Sequence, residues 1–181
     1  MLPLQYFIGV VPPDEYLSRI KQFRQRWRNN SIDEVVEPHI TLKAQGGLTE
    51  DTRWFEPVKL VCKNFRPFQL SLNEPRFFAE GILYLSAKSE ALYKLHRQLV
   101  EEISPPGDDI KKYFELDDFV PHLTLGKTNY GLTRQDLQVM AASAIEELNP
   151  FPTFDVNFVR VYQEVDNQYR KLEDIRLGES K

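Results

Sequence analysis

The 181-residue chain is poor in several things that would narrow its class quickly. It has one cysteine, Cys62, which excludes an internal disulfide framework and a cysteine-rich zinc site and points to a reducing compartment. It has no long apolar run. The stretch around Tyr6–Val11 falls far short of the roughly 18 residues a membrane span needs. The Met1 end lacks the basic segment and small-residue cleavage site of a secretory signal, so a soluble cytoplasmic protein is expected. Basic residues are not in excess either. With 23 Lys and Arg against 27 Asp and Glu, the net charge of −4 argues against gripping long nucleic acid through its phosphates. A small anionic ligand or a single RNA end needs only local positive charge.

What is present suffices for a folded core, at 41% hydrophobic and 28% charged residues. Leu4–Val11 reads as a strand stopped by Pro12-Pro13. Pro13 then opens a helix with Asp14 and Glu15 at its positive end. Tyr16, Ile20, Phe23 and Trp27 share one face of that helix. Arg19, Lys21, Arg24, Arg26 and Arg28 read as its solvated side, with RNA contact as the other possibility. A short strand His39–Lys43 comes next, then a helix near Thr52–Phe65 that Pro57 opens or kinks, then a strand Phe68–Leu72. Arg76–Ala79 and Ile82–Ala87 read as a hairpin turning near Gly81, and Leu92, Leu95, Leu99 and Ile103 mark an amphipathic helix. His96 lies on that stripe and reads as a core-edge residue. Ser104–Asp118 reads as a loop, either a lid or passive surface.

A second short strand, His122–Gly126, precedes a capping box of Thr133 and Asp136. The helix behind it has an apolar stripe of Leu137, Met140, Ala141, Ala144, Ile145 and Leu148. Strands at about Thr153–Gln163 and Tyr169–Leu177 flank the turn pair Asp166-Asn167. The order of units repeats with a period near 80 residues, so the expected domain is a single unit over 1–181. Its first lobe covers about 1–72 and its second about 73–181, with strands exchanged between them.

Within that repeat, Pro38-His39-Ile40-Thr41-Leu42 and Pro121-His122-Leu123-Thr124-Leu125 carry the chemistry. Twelve prolines and three histidines predict about 0.2 Pro-His pairs by chance, and two occur in matching contexts. Strand alternation sends His39 and Thr41 to one face, roughly 7 Å apart, and Ile40 and Leu42 to the other. The second copy does the same with His122 and Thr124. A pseudo-two-fold arrangement then gathers two imidazoles and two hydroxyls in one cleft. One imidazole acts as general base and the other as general acid, while the hydroxyls hold non-bridging phosphoryl oxygens. That set suits in-line attack on a phosphodiester without a metal. No His-Glu-x-x-His or comparable ligand spacing is present, so neither metal nor cofactor is expected.

These paired His-x-Thr motifs resemble the 2H phosphoesterase superfamily, which includes bacterial 2′-5′ RNA ligase-like proteins and cyclic nucleotide phosphodiesterases. The chain is most similar to its small YjcG-like branch. The resemblance implies an α+β fold of two pseudo-symmetric lobes, each an antiparallel-rich sheet with two helices, about a central cleft. It implies chemistry on 2′,3′-cyclic phosphates or 2′-5′ linkages of nucleotides or RNA ends, and the overall expectation is a monomeric RNA-processing enzyme. Its catalytic residues map onto His39 and His122, and its phosphate-holding residues onto Thr41 and Thr124. Lys43 stands where many members of the family carry a smaller or apolar residue, and alternation places it beside His39 and Thr41. It is therefore expected to contact a substrate phosphate or a neighbouring acidic side chain. Phe77, Phe78 and Tyr84 are candidates to stack on a base. Two other readings use the same residues: structural histidines left by duplication, and a nucleotide- or RNA-end-binding module without turnover.

Overall fold

The structure is a computed structural model that describes residues 4–178; the Met1 end, where no secretory signal is read, lies outside them. In chain order the elements are β1 (Tyr6–Val10), α1 (Asp14–Gln25), α2 (Ile32–Val35), β2 (Ile40–Lys43), α3 (Phe55–Lys63), β3 (Phe68–Phe78) and β4 (Ile82–Lys88). They continue with α4 (Glu90–Ile103), α5 (Gly107–Lys112), β5 (His122–Lys127), α6 (Arg134–Glu147), β6 (Thr153–Val156), β7 (Phe158–Val165) and β8 (Gln168–Arg176). The eight strands form one sheet in the order β6-β3-β4-β5-β2-β1-β7-β8, antiparallel at every pairing. The two motif strands are therefore central neighbours, and each half of the sheet extends outward from one of them.

The local chemistry of the ends agrees with the sequence. Pro13 caps α1 in an extended conformation, with Asp14 and Glu15 in the first turn. Ser89 caps α4 by accepting from Leu92 N, and Ser104 ends it with a left-handed backbone. At α6, Asp136 N donates to Thr133 Oγ1 at 3.0 Å and Thr133 N to Asp136 Oδ2 at 2.9 Å, completing the capping box. Asp166 and Asn167 both have positive φ, as a two-residue turn between β7 and β8 requires.

One apolar core holds the helices to the sheet. Ile20, Phe23, Val58, Leu95, Leu99, Leu137 and Met140 pack with Ile40, Leu42, Leu123 and Leu125 in a single cluster. Each such buried side chain contributes about 1.5–3 kcal/mol. Because Ile40 and Leu123 face this core, the opposite face of the two strands is left for polar groups.

Four expectations need correction. The strand Thr153–Gln163 is broken at Asn157, with β6 pairing β3 and β7 pairing β1. One residue spans only about 7 Å, two Cα steps, so the sheet must curl to bring these distant positions together. Phe68–Leu72 and Arg76–Ala79 are one strand, β3, irregular between Leu72 and Pro75. The segment 104–118 is not a bare loop but holds α5 and a short 3₁₀ turn, Leu116–Asp118. Ile145 lies outside the α6 stripe, exposed to solvent.

Candidate active site

Ile40 pairs with Leu123 across the central strands. Antiparallel geometry then sets His39 beside Thr124 and Thr41 beside His122, with Cβ atoms about 4.5–5.5 Å apart. The histidines are diagonal neighbours, about 7–8 Å apart by the same geometry. All four side chains line one polar cleft of about 180 Å³.

Both imidazoles are held alike. His39 Nδ1–H donates to the Glu37 carbonyl at 2.9 Å, and His122 Nδ1–H donates to the Val120 carbonyl at 2.7 Å. That bond fixes the tautomer and leaves each Nε2 with its lone pair. The Thr41 hydroxyl donates to His39 Nε2 at 3.2 Å. Rings complete the mounts. His39 lies against Phe7 (4.8 Å) and Tyr162 (5.6 Å), and His122 meets Phe78 (5.0 Å) and Tyr84 (5.4 Å) edge-on.

Burial pulls His39 down to about 4, helped by the Arg24 and His122 charges and opposed by the Glu37 carbonyl. Burial also lowers His122, which the Val120 carbonyl opposes and Lys127 reinforces. Both shifts favour the neutral form of the rings. An anion placed between them would favour the imidazolium and raise both values.

A β-bulge sets the facing of the residues just beyond each motif. On β2, Ile8 faces Lys43 while Gly9 faces Thr41, so Leu42 is an extra residue. On β5, Leu83 faces Gly126 while Tyr84 faces Thr124, so Leu125 is extra in the matching place. Each bulge shifts the alternation by one. This corrects the assignment of Lys43 as a substrate-binding residue. The bulge turns it into the core, where it is 0% exposed and its ammonium is fully engaged. Lys43 Nζ donates to Glu115 Oε1 at 2.9 Å, Gly46 O at 2.7 Å and Ala44 O at 2.8 Å. Of its two expected partners, the acidic side chain is the one found.

The cations of the cleft come from elsewhere. Lys127, one residue beyond the bulged pair on β5, lines the cleft, and burial lowers its pKa. Arg24 is only 2% exposed, so it leaves the solvated face expected for it. Its guanidinium ion-pairs with Asp33 and donates to Val36 O at 2.9 Å and Thr124 O at 3.2 Å, tying α1 to the second motif. Neither was legible in the sequence. A bulge leaves no local sign, and Arg24 is one arginine among several.

His96 is buried, as expected of its stripe, and both ring nitrogens are committed. Nδ1–H donates to the Leu42 carbonyl at 2.7 Å, at the bulge, and Nε2 accepts from Leu116 N at 2.9 Å. With Phe119 stacked on it at 3.8 Å and Glu115 bound by Lys43, it fastens segment 104–119 to β2. That segment therefore forms a wall packed against β2. It closes a second, mostly apolar cavity of about 740 Å³ that shares Thr41, His122 and Lys127 with the first. Phe78 lines this cavity, Tyr84 is buried behind it at 4.1 Å in a stacked pair, and Phe77 points outside. Among the described residues no group of three or more His, Cys, Asp or Glu side chains is placed to hold a metal ion.

The sequence model of the 2′-5′ RNA ligase superfamily matches residues 12–168, nearly the whole chain and both motifs. The chain belongs to that superfamily. Solved structures of its fold agree. Escherichia coli LigT in complex with NADP+ superposes with a TM-score of 0.62 at 16% identity, covering 99% of this chain and all of the other. TT0787 of Thermus thermophilus gives 0.63 at 18% identity, over 97% and 100%. LigT in complex with 3′-AMP gives 0.61 at 16% identity, over 98% and 100%. No curated protein sequence matches. The superfamily member described here has the α+β, two-halved antiparallel architecture of LigT, and among its described residues no helix is long and apolar enough to cross a membrane.

Proposed function

We propose that this protein is a metal-independent phosphoesterase for 2′,3′-cyclic phosphates or 2′-5′ phosphodiester ends of nucleotides or RNA. His39 and His122 are its general acid and base, and Thr41 and Thr124 hold the non-bridging oxygens. Lys127, not Lys43, supplies the charge that draws the phosphate. The observation that carries this reading is the matched pair of imidazoles on adjacent strands, each tied at Nδ1 and each lining the same polar cleft. The adjoining apolar cavity suits an aromatic base attached to that phosphate. LigT binds 3′-AMP and NADP+ on the same fold, which supports a nucleotide-sized ligand. The reading extends to a cytoplasmic monomer of the YjcG-like branch, built as one bilobal unit whose β7–β8 hairpin returns to the first lobe's side of the sheet.

Incubation with 2′,3′-cyclic nucleotides and 2′-5′-linked oligonucleotides in the presence of EDTA tests it. The expected outcome is turnover, with kcat lowered at least about 10²-fold in His39→Ala and His122→Ala and about tenfold in the Thr→Ala variants. The acid limb of kcat/KM reports the free enzyme, so it should lie below the ordinary histidine value of about 6.5, because burial lowers both rings. The burial of His39 favours a second reading, a binding module without turnover: with its pKa lowered to about 4 the ring carries no proton to donate at neutral pH until an anion raises it. Saturable nucleotide binding with no product from any of these substrates would select that reading.

A further inference from the structure

The two histidines differ in what stands behind the carbonyl that each one holds. Val120, behind His122, is a half-exposed aliphatic residue whose side chain offers no hydrogen bond. Glu37, behind His39, has its own carboxylate clamped. Glu37 Oε1 accepts from Arg160 Nη1 at 2.7 Å and from the Tyr162 hydroxyl at 2.8 Å. Arg160 and Tyr162 lie two residues apart on β7 and so share a face. Arg160 is itself oriented by Asp174 opposite it on β8, through Nε–Oδ1 at 2.8 Å and Nη2–Oδ2 at 3.2 Å. The Tyr162 ring stacks on Phe7 at 4.5 Å, and Phe7 packs against His39. The strand passing beside Tyr162 carries Gly9, where a Cβ would lie 3.2 Å from both the Tyr162 ring and Ile40 O.

We propose that Glu37, held by Arg160 and Tyr162, is a positioning residue that fixes His39 in its Nδ1–H tautomer and aims Nε2 into the cleft. The inference rests on the two-histidine reading only for its consequence, because the tautomer itself can be observed without a substrate. Glu37 acts through its main chain on the imidazole and through its carboxylate on β7, so β7 and β8 set the geometry of the first motif. Loss of the clamp frees the Glu37 carbonyl to move. His39 then gains access to the Nε2–H tautomer, which has no lone pair facing the cleft and cannot serve as base.

Long-range ¹H–¹⁵N correlation of the imidazoles near pH 7.5 tests this, with each histidine assigned by substitution. In the native protein His39, His96 and His122 should all read as Nδ1–H. In Tyr162→Phe and Arg160→Met, His39 should show mixed tautomers while His96 and His122 keep theirs. Glu37→Gln, whose amide oxygen still accepts from both donors, should keep His39 largely Nδ1–H. On a substrate that is turned over, the first two variants should lower kcat about tenfold with KM unchanged. An unaltered His39 in Tyr162→Phe overturns the proposal, as does a change in all three histidines together, which marks a general structural role. If Arg160→Met fails to fold, Tyr162→Phe decides alone. Absence of any turnover would count against the enzyme reading and leave the tautomer result standing on its own.

Discussion

The strands β2 and β5 are two copies of one device, and they differ most in the residues just beyond it. Both present Pro-His-x-Thr-Leu, both bulge at the leucine, and both tie Nδ1 to a carbonyl two residues upstream. Past the bulge the copies trade cargo. The first places Lys43 in the core and Ala44 toward the apolar cavity. The second places Gly126 in the core and Lys127 at the cleft. The same backbone therefore sends one lysine inward to pair with Glu115 and the other outward to line the cleft. The chemistry of a duplicated motif is set jointly by the side chains in the repeat and by the parity of the residues after it.

Substitutions can break this comparison, beginning with the largest effect. Lys43→Met should cost about 3–5 kcal/mol of stability, because it strands Glu115 in the core, and denaturant unfolding reads it. Adding Glu115→Leu should restore most of the loss. A raised KM with unchanged stability in Lys43→Met would instead place that lysine at the substrate. Gly126→Ala should be the next largest. Its Cβ would stand 2.4 Å from Leu132 Cδ1 and 3.2 Å from Met140 Sδ, so overpacking of about 1–3 kcal/mol is expected in thermal or chemical unfolding. The smallest change in stability should come from Lys127→Ala, within about 0.5 kcal/mol. Its effect should appear in KM, raised several-fold, and in a weaker salt dependence of kcat/KM. An unaltered salt dependence would sever Lys127 from the phosphate and leave the two copies without the functional difference drawn above.

Much of the architecture was legible because its causes are local. Pro13, the Thr133–Asp136 box and the Leu92–Leu99 stripe each specify a helix through neighbouring residues, and the repeated Pro-His-x-Thr-Leu identified the central strands. What escaped has distant causes. Lys43 departs from simple alternation because of the bulge at Leu42, which forms against β1 and whose carbonyl His96 binds. Arg24 looked like its solvated neighbours because its partners, Asp33, Val36 and Thr124, arrive from other elements. Segment 104–118, which opens Ser-Pro-Pro-Gly-Asp-Asp, reads as a loop, yet His96 and Lys43 pin it. The break at Asn157 was hidden because extended residues continue on both sides of it.

That single residue has a mechanical consequence. A protein with two jaws ordinarily opens about a slack connection, but Asn157 leaves none, since β6 is stitched to one half of the sheet and β7 to the other. The central strands are paired as well, at Ile40 and Leu123, so parting the two halves there means breaking sheet pairing and not stretching a linker.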